Sequence, residues 1–195
     1  MQEIGPIVRL QVQASSLKVG ERLRRRYDPA PIRSVPALRL DGRGTVGQTA
    51  WGEDIEDVHH QDHPASKNRG GSNGVSLCFT AHYDAMRERF GPHLADGLAG
   101  ENILIQTDQL LGEDDLAPGL MVQTTDGQQI ALERIIVAAP CVEFGRWALN
   151  YPDDARPDRS VADAVAFLAD GMRGYYAVYD GRPATIQVGD RVFVR

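Results

Sequence analysis

Cysteine is scarce in this chain. Two thiols, Cys78 and Cys141, stand among 195 residues, so no disulfide framework is available and one bridge is the most that could form. So sparse a count reads as reduced thiols in a cytoplasmic setting. Long apolar runs are missing too, and no stretch approaches the length of a membrane-spanning helix. The opening Met1-Gln-Glu-Ile-Gly-Pro6 has neither the basic nor the apolar region of a signal peptide. Positive charge is not in excess. The 21 Lys and Arg against 27 Asp and Glu leave a net charge of −6, which argues against a general nucleic-acid binder, whose affinity rests on neutralising phosphates. A local basic pocket for a small anion stays open. Also absent are a phosphate-binding loop of Walker type, a dinucleotide fingerprint, a nucleophile elbow to support Ser-His-Asp chemistry and the glutamate of a zincin.

Glycine and proline are plentiful, at 20 and 11 residues. That suits many short strands joined by turns better than a helical bundle. Residues 4–13 alternate apolar and polar as a half-buried strand does. The basic run Arg22-Leu-Arg-Arg-Arg26 is either a solvated face or a surface for an anionic partner. Three prolines make residues 28–36 an extended loop, and Pro36–Leu40 reads as a strand closed by an Asp41-Gly42 turn. Residues 42–74 are glycine-rich and weakly periodic, with too few apolar residues for a core element. Gly74–Phe79 resumes as a strand. Thr80 is placed to cap a helix over 81–90 that ends at Gly91, with Tyr83, Met86 and Phe90 on one face.

Asn102–Gln106 reads as a strand, 113–115 as an acidic loop, and Leu120–Thr125 with Gln129–Ala138 as a hairpin about Asp126-Gly127. Ser160 and Asp163 resemble a capping box for a helix to about 170. Tyr175–Tyr179 and Ala184–Val194 are two closing strands. Leu17-Lys-Val-Gly-Glu21 and Ile186-Gln-Val-Gly-Asp190 share one shape, each read as the turn into a barrel strand. About eight short strands and two helices result, a mainly β fold. The expected architecture is a closed or nearly closed antiparallel barrel of short strands with a few flanking helices.

Three features could carry chemistry. Cys141 follows an apolar strand and Pro140, where the chain turns and a side chain can stand at a barrel mouth. A free cysteine there is either a small buried hydrophobe or a reactive thiol, and its thiolate is a soft partner for a transition metal or a transferred sulfur atom. Cys78, between Leu77 and Phe79, reads as structural. The loop Asp96–Asn102 has two glycines where the backbone can approach a ligand, with Glu101 and Asn102 as polar groups, or it is a turn with a hydrogen-bonded Asn. This loop and Cys141 are expected to face one pocket. Finally, His59, His60 and His63 give a spacing that on a helix could bind zinc, although Pro64 limits a helix. They are otherwise surface histidines or part of a binding lid, in which Lys67, Asn68 and Arg69 would meet a phosphate.

Taken together, Val75-Ser-Leu-Cys-Phe-Thr-Ala-His-Tyr-Asp-Ala-Met-Arg-Glu-Arg-Phe-Gly91, Gly97-Leu-Ala-Gly-Glu-Asn-Ile-Leu-Ile105 and Ala139-Pro-Cys141 resemble the MOSC domain, named for the C-terminal part of molybdenum cofactor sulfurase. The similarity runs from about 55 to the C-terminus, with the first strands joining the same barrel, so residues 1–195 are expected to form one domain. The resemblance implies a mostly β barrel and a role in molybdenum-cofactor or sulfur chemistry. It implies that Cys141 ligates molybdenum or carries sulfur, and that Gly100, Glu101 and Asn102 match the motif near the cofactor pocket. The candidate cofactor-binding set is therefore Gly100, Glu101, Asn102, His60, His63, Lys67, Asn68 and Arg69.

Many relatives have a His-Gly-Gly loop before the helix, whereas this chain has Val58-His-His-Gln-Asp-His-Pro-Ala-Ser-Lys-Asn68. Neither the pyridoxal-phosphate-dependent desulfurase domain of the sulfurases nor an iron–sulfur domain is recognisable, so a stand-alone module is expected. One expectation is a molybdenum-cofactor protein that assists reduction of N-hydroxylated or N-oxygenated compounds with a separate electron-donor reductase. Another is a sulfur carrier holding a Cys141 persulfide between separate donor and acceptor proteins. The third is a small-molecule binding module with an inert thiol.

Overall fold

The computed structural model describes residues 1–21 and 24–195. Arg22 and Leu23, which open the basic run, lie outside the described residues. In chain order the first strands are β1 (Gln2–Gln13), β2 (Lys18–Val19), β3 (Arg26–Tyr27), β4 (Ile32–Val35), β5 (Ala37–Asp41), β6 (Gly44–Gln48), β7 (Asp54–Glu56) and β8 (Val75–Phe79). Helix α1 (Thr80–Phe90), β9 (Ile103–Ile105), the one-turn α2 (Glu113–Leu116), β10 (Leu120–Gln123) and β11 (Gln129–Val137) follow. The chain closes with α3 (Val142–Ala148), α4 (Arg159–Leu168), β12 (Tyr175–Val178), β13 (Ala184–Gln187) and β14 (Arg191–Val194).

Seven strands close into a barrel in the order β1-β14-β10-β11-β12-β8-β9 and back to β1. The first strand makes the closure: its start pairs with β14, its middle with β9 and its end with β4. Every pairing in the ring is antiparallel except β8–β9. A parallel pair needs a crossover connection, and α1 with the glycine loop after it supplies one. The barrel interior is apolar, with Leu10, Leu77, Phe79, Ile103, Leu120, Leu132 and Tyr175 all buried. A second apolar cluster joins Tyr83 and Met86 of α1, Phe144 of α3 and Leu168 of α4 to Leu104 on the outside of the barrel. Cys78 is buried in that cluster, and burial pushes its thiol well above the ordinary range. That is the behaviour of a packing residue.

Several local expectations change. The Pro-rich segment 28–36 contains β4, which is extended but also paired with β1. Residues 42–74 contribute β6 and β7, which join β5 and β13 in a second, four-stranded sheet. β6 has few apolar side chains, yet Gly44 to Gly47 are all buried. A Cβ on Gly47 would stand 3.0–3.2 Å from the methyls of Val12 and Val35, so the strand is buried by close backbone approach, which hydropathy patterns do not register.

The acidic 113–115 stretch winds into α2, held by a Gly112 N–H donated to Asp115 Oδ2 at 2.8 Å and by the buried Leu116. Thr80 does not cap α1. Its Oγ1 donates to Thr107 O and accepts from Thr107 N–H, tying the helix start to the segment after β9. Ala184–Val194 is broken by Val188-Gly189-Asp190 into β13 and β14, and only the second belongs to the barrel. The matching Leu17–Glu21 shape enters the small β2–β3 ribbon instead.

The α4 cap is Asp158 rather than Ser160; its carboxylate accepts from the N–H groups of Ser160 and Val161. Asp158→Ala should therefore lower the urea midpoint measurably while Asp158→Asn retains most of it, because an amide oxygen also caps. Equal losses in both variants would remove the cap from the account. Among the described residues no helix is long and apolar enough to cross a membrane.

Candidate functional site

Cys141 leaves the end of β11 through Ala138-Ala-Pro140 and becomes the N-cap of α3, with Sγ accepting from Phe144 N–H at 3.4 Å. This helix is absent from the periodicity of the sequence: it has seven residues, with Gly145 inside it, and is held by packing of Gly145 against Val165 of α4. Cys141 is partly buried and lines a cavity of about 400 Å³ at the barrel mouth.

Four parts of the chain build the remaining walls. β1 supplies Gln13, and the segment after it supplies Leu17 and Lys18. Arg25 comes from just before the β3 ribbon strand and Tyr27 from its end. The loop between β7 and β8 supplies His59, Lys67, Arg69 and Asn73, and the turn into β12 with β12 itself supplies Arg173 and Tyr176.

Lys18, Arg25, Lys67, Arg69 and Arg173 put five cations on this lining, and among the described residues no carboxylate shares it. In a chain of net charge −6, that is a concentrated positive field in a concave site, which favours anions. Burial, with Lys18 and Arg25 nearby, pushes the Lys67 ammonium below its usual range. The nearest relief is outside the lining, where Glu143 stands 3.5 Å from Lys18. Arg173 is held by its Nη2 donating to Ala99 O at 3.0 Å and by its guanidinium 5.6 Å from the Phe144 ring centroid, while its Nε is buried without a partner among the described residues.

The β7–β8 loop presents its cations through asparagines. Asn73 accepts from Arg69 N–H at 2.7 Å and donates to Lys67 O at 3.1 Å. Asn68 donates to His59 O and accepts from Gly71 N–H, so it braces the loop and is not on the cavity lining. The three histidines diverge. His59 faces the cavity with Nδ1 2.9 Å from Asp57 Oδ1. His63 Nε2 lies 3.2 Å from Ala14 O. His60 is turned into the protein toward Asp41. No helix forms here, so the His59/His63 spacing does not become a metal pair.

The Asp96–Asn102 loop adjoins this cavity. A water-sized hollow of about 10 Å³ is lined by Ala99, Gly100 and Glu101, and it shares Gln13, Arg173 and Tyr176 with the larger cavity. Cys141 and the glycine loop thus line neighbouring spaces rather than one. The glycines serve to seat the loop on β1: at positive φ, a Cβ on Gly97 would lie 2.5 Å from Gln11 Oε1, and one on Gly100 3.0 Å from Gln13 Nε2. Those glutamines donate to Gly97 O and Gly100 O, each at 2.6 Å.

Asn102, 1% exposed, is fully engaged in the barrel wall. Its Oδ1 accepts from Ser76 N–H and Oγ, and its Nδ2 donates to Asp57 Oδ2 and Gln11 O. Glu101 is 4% exposed; its Oε2 accepts from Tyr83 OH at 2.8 Å, while Oε1 is buried with no partner among the described residues. Burial pushes this carboxyl up to about 7, opposed by its hydrogen bonds and by Arg173.

Residues 57–193 match the model of the MOSC domain. The chain belongs to the MOSC family. That family is associated with molybdenum-cofactor binding and with sulfur transfer. No curated protein matches this MOSC domain in sequence. Among solved structures it is similar to the YuaD protein from Bacillus subtilis, at 12% identity and TM-score 0.51 over 95% of each chain. It is similar to YiiM from Geobacillus stearothermophilus, at 15% identity and TM-score 0.51, over all of this chain and 74% of that one. A hypothetical protein aligns with all of this chain and 70% of its own at 12% identity and TM-score 0.56. At such identities these likenesses speak to the fold alone.

Lys18, Arg25, Tyr27, Arg173 and Tyr176 are not among the residues that the sequence singles out. Only the basic run hints at Arg25. The others are scattered along the chain and meet through barrel closure.

Proposed function

We propose that this MOSC domain binds a molybdenum cofactor in the cationic cavity, with Cys141 as the thiolate ligand to the metal, and assists reduction of N-hydroxylated or related N-oxygenated compounds. One observation carries the reading: the thiol and five cations line the same cavity, with no carboxylate among the described lining residues. The donor set fits the group. A thiolate sulfur is a soft ligand suited to a transition metal, and the cations can offset the charge of a terminal phosphate. When bound, the cofactor supplies the two-electron chemistry, and a separate reductase supplies the electrons.

The protein's own residues do the remaining work. Lys67 and Arg69, braced by Asn68 and Asn73, hold the anionic end from the loop side, and Lys18 and Arg25 do so from the ribbon side. Arg173, anchored on Ala99 and Phe144, stands between the cavity and Glu101. Removing an N-hydroxyl oxygen as water consumes two electrons and two protons. Glu101, whose carboxyl titrates near neutrality, can hold one proton next to the site.

A second reading is a sulfur carrier with a persulfide on Cys141. It is favoured by the five cations on the Cys141 cavity, which would offset the charge of a persulfide anion, while Phe144 N–H holds its inner sulfur. Expression with ample molybdate, followed by metal and sulfane-sulfur analysis, separates the two. Near-stoichiometric molybdenum that falls at least about tenfold in Cys141→Ser supports the first. Sulfane sulfur released by reductant from molybdenum-free protein, and lost in the same variant, supports the second. Loading of both unaltered by Cys141→Ser would end both.

A further inference from the structure

Outside the cavity, β7 and the turns that follow it bring three ligand-bearing side chains together against the β5–β6 hairpin. One donor atom each from Glu56, His60 and Asp62 lies within 4.8 Å of the other two. His60 is 3% exposed, and its Nε2 is buried with no hydrogen-bond partner among the described residues, 3.5 Å from Asp41 Oδ1. A buried nitrogen left without a partner carries a desolvation cost that a structure normally avoids. Asp41 stands beside it, the Glu56 and Asp62 carboxylates lie close to the same ring, and one cation would neutralise them while giving the imidazole a partner.

We propose that Glu56, His60 and Asp62 form a binding site for one divalent transition-metal ion, Zn²⁺ foremost, which clamps the β7–β8 loop to the β5–β6 hairpin. The donor chemistry selects the ion class. Imidazole with carboxylates suits zinc, whereas magnesium and calcium prefer oxygen alone. Two carboxylates match the charge of the ion, and Asp41 stands beside them as a fourth ligand or as an orienting group.

Arg43 brings a positive charge to these carboxylates. Its guanidinium pairs with Asp62, and its N–H donates to Asp41 Oδ1 at 2.8 Å. Tetrahedral zinc with bonds of about 2.0–2.1 Å spaces its ligands by about 3.4 Å, so the donor atoms need to draw in by an ångström or so. Asp62 is exposed and Glu56 half-buried, and both can rotate toward the fixed imidazole. Metal at Nε2 moves the ring proton to Nδ1 and gives up the long 3.2 Å bond which that atom accepts from Asp62 N–H.

The position of the site gives it a consequence. Gln61 N–H donates to Arg43 O, and a Cβ on Gly44 would come within 2.9 Å of His60 Cα, so this is where the loop meets the hairpin. The next residue back, His59, and the later Lys67 and Arg69 are on the cavity lining. A metal at His60 would stiffen that wall without entering the cavity, independently of what the cavity binds.

The test is calorimetric titration of the untagged full chain with Zn²⁺, with Mg²⁺ as control, on wild type, on Cys141→Ser and on the double variant Glu56→Gln/Asp62→Asn. Both substituted carboxylates of the double variant are outside the core, and its metal-free melting temperature checks that the fold survives. The expected result is one zinc per chain, kept in Cys141→Ser, weakened at least about tenfold in the double variant, and raising the melting temperature only where it binds. Absence of zinc binding, binding that the double variant leaves unchanged, or binding lost in Cys141→Ser would each overturn the site.

Discussion

Asn102→Ala is expected to lower the unfolding free energy by about 3 kcal/mol, since each buried group left unsatisfied costs about 1–3 kcal/mol. Asn102 links three segments distant in the chain: β8 through Ser76, β1 through Gln11 O, and the β7–β8 loop through Asp57. Truncation strands Ser76 N–H in the barrel wall and removes one donor from Asp57 Oδ2, which keeps Gln13 N–H at 2.7 Å. Asp57 is itself fully buried, so weakening its network also loosens the loop that presents Lys67 and Arg69. Asn102→Asp should do at least as much damage, because it sets a second carboxylate against Asp57, 2.9 Å from the present amide nitrogen. Urea unfolding at neutral pH reads both variants. An Asn102→Ala protein of unchanged stability that failed to take up the proposed cofactor would show that Asn102 acts on the ligand and not on the barrel.

Glu101→Gln should change the pH dependence of stability more than any other single surface or core carboxylate. Burial raises the folded-state value from 4.5 to about 7, so the folded protein holds this proton more tightly than the unfolded chain does. The resulting stabilisation is complete below about 4.5, falls as pH rises, and is gone above about 7. At roughly 1.4 kcal/mol for each pH unit between the two values, the wild type loses about 3 kcal/mol from this one group across the window. A glutamine cannot release a proton there, yet its amide oxygen can still accept from Tyr83 OH. Urea midpoints measured from pH 4.5 to 7.5 should therefore diverge, with Glu101→Gln the flatter curve. Parallel curves would mean that the carboxyl is hydrated or paired when folded.

The same group bears on the proposed chemistry. Glu101, its carboxyl raised to about 7 by burial, lines the same water-sized hollow as Arg173, and in the proposed mechanism it would pass its proton to the cavity by that route. If Glu101→Gln binds the cofactor normally, the pH profile of turnover is where its role would register.

Some of the site is legible in residue order. Cys141, Lys67 and Arg69 stand out for their chemistry, and all three line the cavity. Asn68 stands out with its neighbours but braces them from behind. In sequence the loop glycines suggest room for a ligand; in the fold they make room for Gln11 and Gln13. Both readings start from the same fact, that positive φ and a missing Cβ permit close approach. Sequence does not say to what. The acidic 113–115 turn and the helix after Cys141 escape because each is too short for a period and is held by tertiary partners, Leu116 in the core and Val165 of α4.

By itself the sequence determined the strand-rich class, the Asp126-Gly127 hairpin, the α1 face carrying Tyr83 and Met86, and the family to which the chain belongs. These follow from periodicity, turn chemistry and motif, all of which act over a few residues. Closure of the barrel by β1, burial of the glycine-rich β6, the five-cation lining and the different fates of three neighbouring histidines were decided only by the tertiary structure. Each depends on which distant backbone pairs with which, and on whether a polar atom, once buried, finds a partner. Among the described residues Glu101 Oε1 and His60 Nε2 find none, and those two atoms are where this protein's chemistry should next be sought.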